Sequence, residues 1–423
     1  MTLLVLFVLL LFLYSLASRR LERTVITTPI VFTAAGMLTQ VISFDLGQGL
    51  ESREAFLVTA ELGLVLLLFT DASRTQLGVL KNIRNLPVRL LSVGMLLTLL
   101  LGLLLARGVF PNLTWWEAGI LAAILAPTDA GLGQIIVASE VVPMKIRQAL
   151  NVEAGLNDGL SVPFLLFFMA LASQANNSEH GHGGLFQFIG EQLGLGALLG
   201  IGIGWVGGWM LEHARRRGWI ATSWLQLGVV ALPLLCLLAS KAVDASMFIA
   251  AFVAGLAVQA RFPEAAKHSV EFTEQWGQLF NLAVFYLFGI LVMAAAAAFT
   301  GRHLLYAILS LTVIRMVPVA VSLVGTRLSP ATVLFMGWFG PRGLASIVLG
   351  LVFLEEETRV TGESTIRLAV MLTVWISIFA HGMSAVSGIG WYVRKLKKLP
   401  SDAPELAKKF PSAFESKTRG QET

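Results

Sequence analysis

The 423-residue chain is 56% hydrophobic and only 13% charged, with a formal net charge of +5. A soluble domain carries about 25% charged residues, so the composition predicts an all-α integral membrane protein. Most Lys and Arg residues lie in loops between apolar runs, which argues against a nucleic-acid-binding surface. The one cysteine, Cys236, lies in an apolar run and excludes an intrachain disulfide or a cysteine-based metal site.

The apolar runs predict about thirteen transmembrane helices, because roughly 20 apolar residues span a bilayer. The weakest of them, at residues 56–71, is short and contains Glu61. The polar residues 394–423 are expected to form a short, disordered cytoplasmic tail. The predicted spans are 2–17, 25–42, 56–71, 87–109, 115–138, 147–175, 185–211, 220–240, 244–260, 273–299, 303–326, 331–354 and 364–392.

Lys and Arg residues are concentrated in alternate loops. Examples are Arg19 and Arg20 after the first predicted span, and Arg394 and Lys395 after the last. Because positively charged loops stay in the cytoplasm, we expect the N-terminus outside and the C-terminus inside, in a plasma (inner) membrane.

Two predicted spans contain helix-breaking residues at corresponding positions. Pro127, Thr128 and Asp129 interrupt the fifth span, and Gly-Trp-Phe-Gly-Pro-Arg-Gly at residues 337–343 interrupts the twelfth. A broken helix at membrane depth is tolerated where it lines a cavity or where its backbone groups find partners. In secondary transporters such breaks mark the ion site.

The positions of the two breaks predict a pair of inverted repeats. If residues 185–211 form a linker helix, residues 1–175 and 220–393 form two six-helix units that enter the membrane from opposite sides. The prediction is one transmembrane domain, residues 1–393, whose discontinuous helices cross near the midplane of the membrane.

Charged side chains at membrane depth persist when they are paired, because an unpaired charge there is costly. We assign Glu153 to Arg342 and Asp129 to Arg315 as ion pairs. These assignments leave Asp158, on the sixth predicted span, without a neutralising partner.

Asp158 must therefore hold a proton or a metal cation, because desolvation penalises its charged form. Proton and cation compete for one carboxylate, and competition at an alternately exposed site produces cation/proton exchange. Asp71 lies near the cytoplasmic end of its span, where water reaches it, and is a further candidate ion-binding residue.

Several of these residues are open to a structural interpretation. Asp129 either binds the ion or only balances the partial positive charge at the N-terminus of a half-helix, and Arg342 would balance the negative charge at a C-terminus. Thr128 either offers oxygen atoms to the ion or caps the break. Asn157 is either a wall of the site or a hydrogen-bonding group between helices, and Asp71 is either a ligand or an interfacial anchor.

Other function classes meet specific objections. The main alternative, a carrier of anions or organic solutes, would bring an anion against Asp158. An intramembrane aspartyl protease needs two facing carboxylates and leaves the two broken spans unexplained. An ion channel would need a loop resembling a selectivity filter, which the sequence does not contain. We expect no enzyme activity, no cofactor and no nucleic-acid partner.

The motifs together resemble those of the monovalent cation/proton antiporter family, in the branch of the NhaP-type and NHE-type exchangers. The resemblance extends to about residue 393. It rests on Thr128-Asp129, Glu153 followed by Asn157-Asp158, Gly337 to Gly343, and Ala380-His381-Gly382.

The resemblance implies that Asp158 alternately binds a proton and a monovalent cation (Na⁺, K⁺ or Li⁺), with Thr128 as a second cation ligand. It implies that Asn157 makes the exchange electroneutral, and that Glu153 and Arg342 form a structural salt bridge. It also implies a homodimer in the lipid bilayer, in which a core domain of spans 4–6 and 11–13 moves like an elevator.

Two positions depart from the family pattern. Ala130 stands where Pro often follows the Thr-Asp pair, and Ala154 stands where several relatives have a Ser that donates an ion ligand. The coordination shell is therefore expected to lack a side-chain oxygen that those relatives have, and the pattern does not fix the preference for Na⁺ or K⁺.

Overall fold

The described residues are entirely helical apart from turns and connecting segments, and no strand occurs among them. The computed structural model describes residues 2–21, 24–42, 53–74, 85–176, 190–355, 360–400 and 402–406. Residues 407–423 of the predicted tail and residues 185–189 of the predicted linker helix lie outside these described ranges.

The helices are numbered here in chain order. A π-helical turn, Leu90–Gly94, lies within α4, and another, Gly190–Leu195, precedes α8. The helices are α1 Thr2–Leu21, α2 Thr28–Ile42, α3 Arg53–Arg74, α4 Asn85–Val109, α5 Trp115–Ile124, α6 Ala130–Ala138, α7 Met144–Asn176, α8 Gly196–Arg216, α9 Thr222–Ala242, α10 Met247–Arg261, α11 Pro263–Ala294, α12 Gly301–Leu311, α13 Val313–Ser322, α14 Pro330–Trp338, α15 Leu344–Glu355 and α16 Glu363–Leu396.

Within the described ranges, eight helical segments are long and apolar enough to cross a membrane, by length and composition. Four shorter helices, α2, α5, α10 and α15, are also apolar. Many large apolar side chains on the outside are exposed, including Leu4, Phe12 and Leu198. An apolar exterior of this extent suits lipid rather than water. The chain is therefore a polytopic helical membrane protein, as the composition predicts.

The two predicted interruptions are present, and proline lies in each. The first half-helix of the fifth predicted span, α5, ends at Ile124, and α6 begins at Ala130. Pro127 lies between them; it lacks a backbone N–H and disfavours helical geometry in the residue before it. In the twelfth predicted span α14 ends at Trp338, α15 begins at Leu344, and Pro341 lies in the gap.

The helices pack in two groups. Helices α2, α3 and α8 to α11 contact mainly one another, and α4 to α7 contact mainly one another and α12 to α16. Both interrupted spans belong to the second group. Helices α7 and α15 also contact α3 of the first group, so the breaks lie near the boundary between the two groups.

Candidate ion site at the crossing of two interrupted helices

Asp129 caps the N-terminal ends of two half-helices at once. Its Oδ1 accepts a hydrogen bond from the Leu132 N–H of α6 at 3.0 Å, and its Oδ2 accepts one from the Leu344 N–H of α15 at 2.6 Å. The Asp129 N–H donates to the Pro341 carbonyl at 2.7 Å, which joins the two breaks directly. A carboxylate at this point balances the partial positive charge of both helix ends.

Arg342 caps the C-terminal end of a half-helix. Its fully buried guanidinium donates from Nη1 to the carbonyls of Ala126 and Pro127, the latter at 2.9 Å, just beyond the C-terminus of α5. Its backbone N–H donates to Ser377 Oγ of α16 at 2.7 Å. Arg342 therefore neutralises exposed carbonyl groups of the other interrupted span rather than those of its own.

The remaining half-helix end, the C-terminus of α14, is held by α16. His381 Nε2 donates to the Trp338 carbonyl at 2.9 Å, and its Nδ1 lies 3.1 Å from Ser377 Oγ. Each broken end at the crossing thus has a side-chain partner, which is what a helix break in a nonpolar environment requires. Ser377 is not among the site residues that the sequence motifs predict. Its position one helical turn before His381 in the Ala-His-Gly motif was the available signal.

The two predicted ion pairs are wrong. Arg315 pairs with Glu153 through two hydrogen bonds, Nη1 to Oε1 at 2.5 Å and Nη2 to Oε2 at 2.9 Å, and both side chains are buried. Asp129 accepts its hydrogen bonds from backbone N–H groups rather than from Arg315, and Arg342 donates from Nη1 to carbonyl groups rather than to Glu153. Counting charges without helix ends therefore matched the acids with the wrong bases.

Asn157 fastens the first break to α7. Its Nδ2 donates to Thr128 Oγ1 at 2.7 Å, and its Oδ1 accepts from the Thr128 N–H at 3.2 Å. The neighbouring Asp158 is 3% exposed. Asp158 Oδ1 has no hydrogen-bond partner, and no ion pair involves Asp158, within the residues that the structure describes.

Asp71 reaches the same region from α3. A Cβ added at Gly155 would lie 3.3 Å from the Asp71 Cβ, so the Asp71 side chain packs against α7 one turn before Asp158. Asp129 and Asp71 both interact electrostatically with Asp158. Two further carboxylates thus lie within electrostatic range of Asp158, and this concentration of negative charge suits the region to a cation.

A cavity leads to the crossing between α6, α7 and the end of α14. Its lining includes Thr128 and Asp129 at the break, Asn151 and Ala154 on α7, and Phe339 after α14. Ala154 thus lies on the wall of the cavity, at the position where several of the relatives mentioned above have a Ser.

Crossed half-helices with charged caps, and a buried carboxylate without a fixed partner beside them, are the features of a polytopic membrane transporter with discontinuous helices. The chain belongs to the sodium/hydrogen exchanger transmembrane family, which matches residues 5–386. This confirms the family that the sequence motifs resemble.

Named relatives agree with this family. The chain is 26% identical over 323 residues to a Na⁺/H⁺ antiporter of Schizosaccharomyces pombe, covering 70% of this chain and 68% of that protein. It is 23% identical over 332 residues to the K⁺/H⁺ antiporter NhaP2 of Shewanella baltica, covering 76% of this chain and 55% of that protein.

The fold is similar to a solved structure. The sodium proton antiporter MjNhaP1 of Methanocaldococcus jannaschii at pH 8 superimposes with a TM-score of 0.76 at 19% sequence identity, covering 94% of this chain and 98% of that one. A likeness at this identity concerns the fold alone.

Proposed function

We propose that the protein is a secondary active antiporter that exchanges a monovalent cation, Na⁺ or K⁺ and also Li⁺, for a proton across the membrane. The observation that carries the proposal is the position of Asp158. It lies buried beside the Asn157–Thr128 contact at the crossing, without an ion-pair partner among the described residues. The antiport functions named for the fungal and bacterial relatives support it.

In the proposed mechanism Asp158 holds either a proton or the cation. An ionised carboxylate is unfavourable in this buried position without a counter-charge. Loss of the proton therefore favours binding of the cation, and protonation favours its release. Thr128 contributes oxygen to the cation. Asp129 and Asp71 make the surroundings negative, and Asp71 is proposed as a further ligand when the helices shift.

Three other residues are proposed to keep the crossing rigid. Glu153 and Arg315 hold α7 and α13 together, and Arg342 holds the C-terminal end of α5. These groups take no part in binding the ion. Asn157, neutral and engaged with Thr128, leaves one titrating carboxylate at this point of α7, which favours exchange of one cation for one proton without net charge transfer.

The proposed architecture has thirteen membrane spans arranged as two inverted six-helix repeats around the α8 linker. In the proposed elevator motion, a core of α4 to α7 and α12 to α16 moves against a scaffold of the remaining helices, and the scaffold would form a homodimer. The division of the helices into two packing groups supports this choice of core and scaffold. The proposed orientation places the C-terminus in the cytoplasm of a plasma (inner) membrane.

The proposal is tested with the purified protein in liposomes that hold a pH gradient. Addition of Na⁺, Li⁺ or K⁺ to the parent protein should dissipate the gradient, and Asp158→Asn should abolish the response without lowering the melting temperature. Asp402→Asn, the same change at an exposed acid of the tail, is the matched control. Full activity in Asp158→Asn would overturn the assignment.

A further inference from the structure

The chain beyond α16 returns to the start of α14. We call residues 402–406 the clasp segment. In it, Glu405 Oε1 accepts a hydrogen bond from the Ser329 N–H at 2.6 Å and one from Thr332 Oγ1 at 2.9 Å. Glu405 is only 3% exposed, which is uncommon for a carboxylate in a polar tail. Its contacts lie at the N-terminus of α14, where negative charge is favourable.

The same contact includes α16. Thr332 Oγ1 lies 3.0 Å from the hydroxyl of Tyr392, and both of these side chains are fully buried. Glu405, Thr332 and Tyr392 therefore form one desolvated network that joins the clasp segment, α14 and α16. Breaking such a network at its charged end leaves buried hydroxyl groups with fewer partners.

A second contact connects the clasp segment with α7. The Pro404 carbonyl accepts a hydrogen bond from Lys145 Nζ at 3.3 Å, and Lys145 lies in the first turn of α7. Helix α7 carries Asp158 further along. The clasp segment thus bridges the beginnings of α7 and α14, two helices that come from different halves of the chain.

Helix α7 lines the cavity that leads to Thr128, and the segment that directly follows α14 lines it as well. Asn151 lies on the α7 side, and Phe339 and Pro341 follow the end of α14. The width of the cavity therefore depends on how α7 and α14 are held relative to each other.

We propose that the clasp segment sets the width of this cavity, and that Glu405 is a positioning residue for the cation site. It acts through α14, whose far end leads into the crossing, and it does not touch the ion. The inference rests on the exchange function proposed above and deepens it, because it makes cation binding depend on a segment outside the membrane-spanning helices.

Glu405 is charged under the conditions of transport. Burial raises the pKa of this carboxyl group, but the hydrogen bonds from Ser329 and Thr332 outweigh burial and hold the pKa below its ordinary value of 4.5. The clasp contact is therefore an ionic one at neutral pH, and removal of its charge is a meaningful test.

The test uses a cysteine introduced at Ala154, a buried residue of the cavity wall, in the full chain, since the native Cys236 is also buried. In the Glu405→Gln background, a water-soluble maleimide should label Ala154→Cys about threefold faster than in the parent background, because the cavity opens more often. Without the label, Glu405→Gln should raise the KM for Na⁺ about threefold and leave the maximal rate nearly unchanged. Asp402→Asn, in the same segment but exposed, should change neither quantity.

Equal labelling rates in Glu405→Gln and Asp402→Asn would overturn the inference. If Glu405→Gln does not fold, Lys145→Met, which removes only the contact with Pro404, decides by the same two measurements. Labelling does not require transport. An active Asp158→Asn variant would therefore refute the proposed exchange function. An unchanged labelling rate in the Glu405→Gln background would refute the proposal that the clasp segment sets the width of the cavity.

Discussion

Gly343 lies directly against the carboxylate of Asp129, and a side-chain carbon at Gly343 would overlap Asp129 Oδ2. The two residues come from different interrupted spans, more than 200 positions apart. Their contact lets one carboxylate reach the N–H groups of both α6 and α15. The close approach of the two breaks thus depends on the absence of a side chain at one position.

Gly343→Ala should therefore lower the stability of the protein by about 2 kcal/mol and strongly reduce exchange, because Asp129 must move away from the Leu344 N–H. Thermal melting in detergent measures the first effect. Gly133→Ala, in α6 where an added Cβ meets nothing within 4 Å, should leave the melting temperature unchanged or higher. A Gly343→Ala variant as stable as the parent would contradict the double-cap geometry.

The observed partner of Glu153 can be tested by double-mutant cycles. Glu153→Ala and Arg315→Ala should each cost about 3–5 kcal/mol, because each leaves a buried charge unpaired. Their coupling free energy should be about 1–3 kcal/mol. The cycle of Glu153→Ala with Arg342→Ala should give a clearly smaller value, since Arg342 donates to carbonyl groups. The reverse order would restore the pairing expected from the sequence.

Asn157→Asp should keep the fold and partial exchange activity while adding a second carboxylate beside Asp158. The new side chain can still accept from the Thr128 N–H and hydroxyl, whereas Asn157→Ala loses both contacts and should be less stable. Transport by Asn157→Asp should become sensitive to an imposed membrane potential. Insensitivity to the potential in an active Asn157→Asp variant would mean that Asn157 does not set the stoichiometry.

Ala154→Ser should improve cation binding. Residue 154 lies one helical turn before Asp158 and lines the cavity, so a hydroxyl there adds an oxygen near the site. The KM for Na⁺ should fall about threefold, the effect of one modest polar contact. Ala170→Ser, further along α7, serves as the control. An unchanged KM would show that position 154 does not face the bound ion.

The contribution of Glu405 to the free energy of unfolding should depend on pH in the direction set by its lowered pKa. Because hydrogen bonds hold the folded-state pKa below 4.5, the carboxylate stabilises the folded protein above the unfolded-state value and loses this contribution as pH falls through the folded-state pKa. The stability difference between the parent and Glu405→Gln should therefore stay constant from about pH 6 to about pH 8 and shrink in acid. A difference that changes within the neutral range would assign the effect to another group.

Local sequence indicated where the helices break, because Pro127 and Pro341 stand beside polar residues or glycine and disfavour helical geometry there, whereas Pro163 and Pro318 remain inside helices. Asp158 was recognisable as an acid in an apolar helix, and among the described residues it has no ion-pair partner. The partner of each remaining charge was decided only by tertiary structure. Asp129 is satisfied by the N–H groups of two helix ends, and Arg342 by carbonyls from the opposite half of the chain, so Arg315 is left to Glu153. The partial charges of helix ends interact strongly only when folding brings the ends together in a crossing that excludes water. A count of charged side chains does not include these partial charges. The contact between Glu405 and α14 had no signal in the local sequence either. Nothing in a polar tail distinguishes one acid from another before the tail packs against the buried hydroxyl groups of Thr332 and Tyr392.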